Sequence, residues 1–160
     1  SGQKKYTFLA IKAILSWRSQ MAWIKVDDQP GRKVDLTGLF AMMQAETFGG
    51  GYRVAPGMQP FGDSASIVLG FGLTKLQMLS VMGPLEKGRH VGKWGKISME
   101  PCRRFEIKAL DSEGNPTDEK GHEPPLFISL DGEISMTTPV SFEFHEGQLN
   151  VRGGKRPPNV

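Results

Sequence analysis

The sequence predicts a mainly β fold, a β-sandwich or distorted barrel with one or two peripheral helices. Three observations carry this expectation. Apolar and polar residues alternate in short runs such as Ala22-Trp23-Ile24-Lys25-Val26 and Val140-Ser141-Phe142-Glu143-Phe144, the period-two pattern of half-buried strands. Turn signals recur at close spacing, among them Asp28-Gln29-Pro30-Gly31, Gly114-Asn115-Pro116 and His145-Glu146-Gly147. Glycine (20) and proline (11) are abundant in the 160 residues for a helical protein, which suits many strands joined by tight turns.

Taken in order, residues from about Lys4 to Trp17 read as a helix. Phe8, Ile11 and Leu15, and Ala10, Ile14 and Trp17, fall at three- and four-residue spacings. Met21 to Asp28 alternates as a strand, and Val34 to Met43 is a second apolar strand. The Asp28–Gly31 turn between them predicts an antiparallel hairpin. Thr47-Phe48-Gly49-Gly50-Gly51-Tyr52-Arg53-Val54-Ala55-Pro56 is a glycine-rich loop. Ser64 to Phe71 reads as a buried strand. Leu73 to Met82 reads as a short helix with Leu76, Leu79 and Val81 or Met82 facing inward, ended by Pro84. Residues 84–95 form a basic connection, 96–100 and 103–110 two strands, and 111–125 an exposed polar loop. Strands over 126–130, 140–145 and 148–152 complete the set, and 153–160 reads as a flexible tail.

The bulk properties narrow the function. The length fits one domain or a large piece of a bigger protein. Net charge is +3 with a pI near 9.1, a mild excess that points weakly to an anionic partner such as phosphate groups, nucleic acid or a membrane surface. The weakness of that charge counts against a nucleic-acid-binding barrel, a reading that rests on pI and scattered aromatics alone. Cys102, the single cysteine, forbids an internal disulfide and reads as a buried thiol. No run resembles a signal peptide or a bilayer span, so a cytoplasmic location is expected. The chain begins Ser1-Gly2 without methionine, as a fragment would.

Candidate sites follow from residue chemistry. Gly49 to Gly51 are followed by Tyr52-Arg53-Val54 rather than a lysine and hydroxyl opening a helix. A bulge or tight strand crossing therefore fits better than a phosphate cradle. His90, His122 and His145 share no metal-ligand spacing. Lys87, Arg89, Lys93 and Trp94 lie in the densest basic segment. They read either as a solvated loop or as contacts to anionic lipid headgroups, with the indole as an amphipathic anchor. In Leu130-Asp131-Gly132-Glu133, Asp-Gly between strand-like runs is first a turn signal. The two carboxylates are the alternative reading, as a catalytic pair.

The order of these motifs resembles one family. Phe48-Gly49-Gly50-Gly51-Tyr52-Arg53-Val54-Ala55-Pro56 is followed by a strand, then by Leu73-Thr74-Lys75-Leu76-Gln77-Met78-Leu79 with Leu85-Glu86-Lys87-Gly88-Arg89-His90, then by Leu130-Asp131-Gly132-Glu133. This series is similar to the carboxy-terminal domain of the diacylglycerol kinase and sphingosine kinase superfamily, over nearly the whole chain. The resemblance implies a two-sheet antiparallel β-sandwich spanning about 21–152, within a single domain of residues 1–152. It implies the substrate-side half of an ATP-dependent lipid kinase, which transfers the γ-phosphoryl of ATP to a lipid hydroxyl. The partner is an amino-terminal ATP-binding domain with a Gly-Gly-Asp-Gly-Thr motif, in cis or as a separate chain. That motif does not occur here, so the isolated chain is expected to be inactive, with ATP and Mg²⁺ held mainly by the other domain.

The resemblance implies that Asp131 and Glu133 face the interdomain cleft, Glu133 as general base or metal-linked acid and Asp131 as its partner. Two acids two residues apart on an extended strand would point the same way. Gln44-Ala45 stands where the family commonly has Asn-Gly, and Ser66 where another Asp is common. Of the acids that help hold a structural magnesium in many bacterial members, Asp63 alone remains nearby. An anionic membrane surface is the further expected partner, with the protein peripheral to it. A lipid-binding module without chemistry is the second reading. Diacylglycerol, a sphingoid base and a glycolipid precursor all fit, because pocket shape sets that choice.

Overall fold

The computed structural model describes residues 2–49, 51–118, 126–131 and 133–147. The elements are α1 (Gly2–Ser16), β1 (Gln20–Val26), β2 (Arg32–Met43), β3 (Ala65–Phe71), α2 (Lys75–Glu86), a 3-10 turn (Lys93–Gly95), β4 (Ile97–Cys102), β5 (Arg104–Lys108), β6 (Phe127–Leu130), β7 (Glu133–Thr137) and β8 (Val140–Glu143). The described residues are mainly β with two α-helices. Six strands form an antiparallel sheet in the order β4-β3-β2-β1-β5-β8, and β6 and β7 form a separate two-stranded sheet.

The alternation in β1 does what its period requires. Ala22, Ile24 and Val26 are buried, while Trp23 and Lys25 point to the other side. The expected β1–β2 hairpin forms. Its turn is tied to the rest of the sheet by Asp27, whose carboxylate accepts from the backbone N–H groups of Arg103 (2.8 Å) and Arg104 (2.6 Å). β3 is buried on both faces, which explains its continuous apolar run.

Each face of the large sheet carries its own apolar cluster. On one face Ile24, Ile67, Leu69, Phe105 and Ile107 pack together, joined by Leu126 and Ile128 of the β6 region. On the other, Val68 and Ile97 meet Met78, Val81 and Leu85 of α2, Val54 and Ala55 of the glycine-rich loop, and Ile14 of α1.

Three expectations change. The inward stripe of α2 is Met78, Val81 and Leu85, whereas Leu76 is 78% exposed. The cause is the sheet: Met78, Val81 and Leu85, at i, i+3 and i+7, are the residues that meet Val68 and Ile97. Thr74 caps the helix start, with Gln77 N–H donating to the Thr74 hydroxyl (3.2 Å) and the Gln77 side chain accepting from Thr74 N–H (3.0 Å). Pro84 does not end α2 but lies in its last turn. The stop is Gly88, at φ 66, with Arg89 N–H bonded to Pro84 O (2.7 Å) and Gly88 N–H to Leu85 O (3.2 Å), the two bonds of a Schellman closure. Finally, β7 fills a stretch that carried no strand expectation. The expected strand over 148–152 and the tail lie outside the described residues, as does His122.

Cys102 is buried at the end of β4, its thiol against Arg104 O at 3.2 Å. Burial, with lesser contributions from the Asp27 and Glu100 charges, pushes the thiol pKa up to about 11. It is an inert core group, as expected.

Candidate functional site

Both readings of Leu130-Asp131-Gly132-Glu133 survive. Leu130 and Glu133 pair across β6 and β7, which makes the connection a two-residue hairpin turn. Asp131 stands at φ 48, the left-handed conformation that such turns need and that aspartate tolerates better than most residues. Asp131 is thus on the turn itself rather than on an extended strand, and the strand geometry that would aim both acids alike does not apply. Asp131 and Glu133 are both exposed, at the tip and at the first residue of β7. Gly132 lies outside the described residues.

Asp63 is exposed just before β3, with Ser64 Oγ at 3.4 Å from its carboxylate. Among the described residues no group of three His, Cys, Asp or Glu side chains is placed to hold a metal ion. A magnesium ion takes an octahedron of oxygens, and Asp63 is one carboxylate toward it.

The glycine-rich loop is a structural turn. Phe48 and Tyr52 exchange backbone hydrogen bonds (2.9 and 3.1 Å), with Gly49 at φ 57 and Gly51 at φ 107 between them. Glu46 organises the segment from Arg53 to Gly57. Its carboxylate accepts from Arg53 Nη2 (2.6 Å) and Gly57 N–H (2.9 Å). The Arg53 hydrogen bond, then that of Gly57, holds its pKa below the usual value.

This loop docks on the basic connection. His90 is fully buried, with Nε2 3.0 Å from Val54 O. A carbonyl can only accept, so Nε2 carries the proton. Burial, opposed by that bond, pulls the His90 pKa below its usual value. Gly88 sits against Pro56 and Arg53, where a Cβ would come within 3.0 Å of Pro56 Cβ. Two of the sequence motifs are therefore packing partners.

The four residues assigned to a lipid surface separate into two pairs. Lys87 and Arg89 follow the carboxyl end of α2. Lys93 and Trp94 open the 3-10 turn, followed by Lys96, whose Nζ reaches the amino end of α2, donating to Gly72 O at 2.6 Å and lying 3.4 Å from Gln77 Oε1. Trp94 is 46% exposed at φ 54, and Lys93 Nζ lies 5.6 Å from its ring centroid. The structure thus brings the glycine loop and the Lys87–His90 turn together on one face of the large sheet. The Asp131 hairpin belongs to the cluster on the opposite face. Sequence reasoning missed Glu46 as the loop's organiser and His90 as its buried pin. Neither has a spacing signal, and a histidine between Gly88 and Gly92 looks like any loop histidine.

The chain is thus a six-stranded antiparallel sheet with helices on one face and an acidic hairpin on the other. The chain belongs to the family described as the YegS C-terminal NAD kinase beta sandwich-like domain, whose model matches residues 1–153. Among solved structures it is similar to a diacylglycerol kinase from Bacillus anthracis str. Sterne, with a TM-score of 0.60 and 14% identity over 89% of this chain and 44% of that one. Two further structures from that strain, provisionally designated diacylglycerol kinases, match with TM-scores of 0.61 and 0.60 at 16% and 15% identity, each over 89% of this chain and 43% of theirs. The chain thus spans less than half the length of these structures. No curated protein matches it.

Proposed function

We propose that this domain is the substrate side of an ATP-dependent lipid kinase acting on a diacylglycerol- or sphingosine-like hydroxyl. The observation that carries the reading is the Leu130–Glu133 hairpin in a domain of this family. It presents two exposed carboxylates, Asp131 at the tip and Glu133 at the first residue of β7. In the reaction the lipid hydroxyl loses its proton to Glu133 as its oxygen bonds the γ-phosphorus, and ADP leaves with the cleaved P–O electron pair. Asp131 positions the hydroxyl. Positioning and charge neutralisation dominate phosphoryl transfer, and a positioned base contributes about 10²–10⁴-fold.

ATP with Mg²⁺ is assigned mainly to an amino-terminal domain, in cis or as a separate chain, and this chain alone is inactive in that scheme. Asp63 is the residue here that would contribute to a magnesium site. The packing of Leu126 and Ile128 onto the large sheet supports reading β6–β7 as part of a second sandwich layer. A cytoplasmic enzyme, peripheral to the membrane that holds its substrate, fits this scheme.

The test is lipid phosphorylation by the protein assembled with its ATP-binding domain. Glu133→Gln should reduce kcat by at least about 10²-fold, and Asp131→Asn, which keeps the left-handed turn, should reduce it less. Wild-type turnover by Glu133→Gln would remove the assigned role. The second reading, a lipid-binding module without chemistry, is favoured by the lone carboxylate of Asp63. It is the outcome if the assembled wild-type protein binds lipid and transfers no phosphoryl group.

A further inference from the structure

His90 has no exposed surface, and its ring closes a contact between segments 36 residues apart in the chain. Nε2–H donates to Val54 O, while Nδ1 is buried and meets no hydrogen-bond partner among the described residues. At the same contact Gly88 lies against Pro56 and Arg53, and Val54 and Ala55 pack into the α2 cluster. The glycine-rich loop is in turn tied to α1, where the Tyr52 hydroxyl lies 2.9 Å from Thr7 Oγ1. The ring therefore joins the turn after α2 to a loop that also holds α1.

This position suits one protonation state only. The neutral ring uses its single donor on Val54 O and leaves one acceptor idle. The imidazolium would add a second N–H, on Nδ1, buried without an acceptor. The charged groups of the surrounding elements are Glu46 and Arg53 of the loop, Glu86 at the end of α2, and Lys87, Arg89, Lys93 and Lys96 of the basic connection. Neither acid bonds the ring: the Glu46 carboxylate accepts from Arg53 and Gly57 N–H, and Glu86 is exposed. The other five are cations, which oppose a charge on the ring. Because residue 90 has no exposed surface, its ring reaches water only if its backbone moves. That motion breaks the bonds of the turn around it, from Gly92 N–H to Ile97 O (2.7 Å) and from Lys93 N–H to His90 O (3.1 Å). The bonds inside the loop, between Phe48 and Tyr52 and around Glu46, do not involve the histidine.

We propose that His90 is a proton-operated latch: the neutral ring holds the turn of residues 87–93 on the glycine-rich loop, and a proton on the ring releases that turn while the rest of the fold stays intact. The docked ring has a lowered pKa, first through burial, opposed by the Val54 bond. The released form is therefore the one that takes up the proton. Docking is unaffected above about pH 6.5 and weakens tenfold per pH unit below it. The latch does not depend on phosphoryl transfer, and its test reads local opening alone.

The experiment is residue-resolved amide hydrogen exchange of the protein by NMR from about pH 5 to pH 7.5, each rate divided by the intrinsic rate at that pH. Opening at Gly92 and Lys93 should be level above about pH 6.5 and about 30-fold larger at pH 5 than at pH 7.5. At every pH it should exceed the opening of β3, whose amides exchange with the whole fold. Phe48 and Tyr52, bonded within the loop, should show no such rise. His90→Gln, whose amide can donate to Val54 O and takes up no proton, should abolish the rise at Gly92 and Lys93. Should that variant not fold, the wild-type curve decides alone, because a single site gives one decade per pH unit below about pH 6.5. A flat curve, a rise of equal size at Phe48 and Tyr52, opening at Gly92 no larger than in β3, or a rise retained in folded His90→Gln would each overturn the latch.

Discussion

Replacing Gly88 by alanine tests whether the turn after α2 is held by backbone conformation alone or also by the glycine-rich loop. At φ 66 a Cβ is disfavoured by about 1 kcal/mol. The new methyl would also lie 3.0 Å from Pro56 Cβ and 3.5 Å from Arg53 Cβ. Pro56 is a rigid ring in a segment fixed by Glu46 through Arg53 and Gly57, so it cannot swing aside as a long side chain would. Crowding of this kind costs about 1–3 kcal/mol. Gly92, at φ 79, has nothing within 4 Å of its Cβ position, so Gly92→Ala bears the conformational cost alone. With about 2–4 °C per kcal/mol for a chain of this size, Gly88→Ala should melt about 2–12 °C below Gly92→Ala. The assay is thermal and urea unfolding of both variants, followed by circular dichroism. Gly88→Ala combined with Pro56→Gly should recover part of the difference, since the two sites couple. Equal losses in Gly88→Ala and Gly92→Ala would refute the docking of the turn on the loop.

Two further outcomes rest on packing contacts. The pKa of His90 is depressed in the fold, so the unfolded chain takes up a proton near pH 6.5 while the native ring stays neutral. Stability should be level above that pH and fall as the pH drops below it. Urea midpoints taken down to about pH 5 should fall more steeply for the wild type than for His90→Gln, and parallel curves would contradict the assignment. A Cβ on Gly31 would overlap the Trp23 indole, 1.9 Å from Cζ2. Gly31→Ala should therefore displace Trp23 from its place under Lys108. The expected cost is about 1–3 kcal/mol by denaturation, together with a shifted Trp fluorescence maximum, and an unchanged melt would show that the ring moves freely.

What the sequence revealed depended on whether a local pattern and the tertiary contacts agreed. The β1–β2 hairpin was legible because Ala22, Ile24 and Val26 alternate cleanly up to a strong turn. The boundary of α2 was not, because proline is the louder stop signal, whereas the closure is made by Gly88, whose role shows only in its φ and its bonds to Pro84 and Leu85. β7 carried no clear signal although Ile134-Ser135-Met136-Thr137 alternates, because four residues rich in hydroxyls make a weak period-two pattern. The acids of the hairpin were legible as residues, but their geometry was not, since the left-handed Asp131 depends on the Leu130–Glu133 register. The stripe of Phe8, Ile11 and Leu15 was visible as helical spacing. Whether it faced the core or the solvent was decided by Ile14, the residue that packs on the sheet.

The large sheet separates the candidate hairpin from the second apolar cluster. Leu126 and Ile128 anchor the Asp131 hairpin region to one apolar cluster, while Ile14 of α1 and Met78, Val81 and Leu85 of α2 belong to the other. If lipid hydroxyl activation resides in the hairpin, it is divided by a layer of packed strands from the packing of Gly88 on Pro56, and the two share no side chain. Gly88→Ala should then lower the melting temperature and leave lipid turnover of the assembled protein intact well below the melt. A loss of turnover there would mean that the sheet does not insulate the hairpin from the opposite cluster.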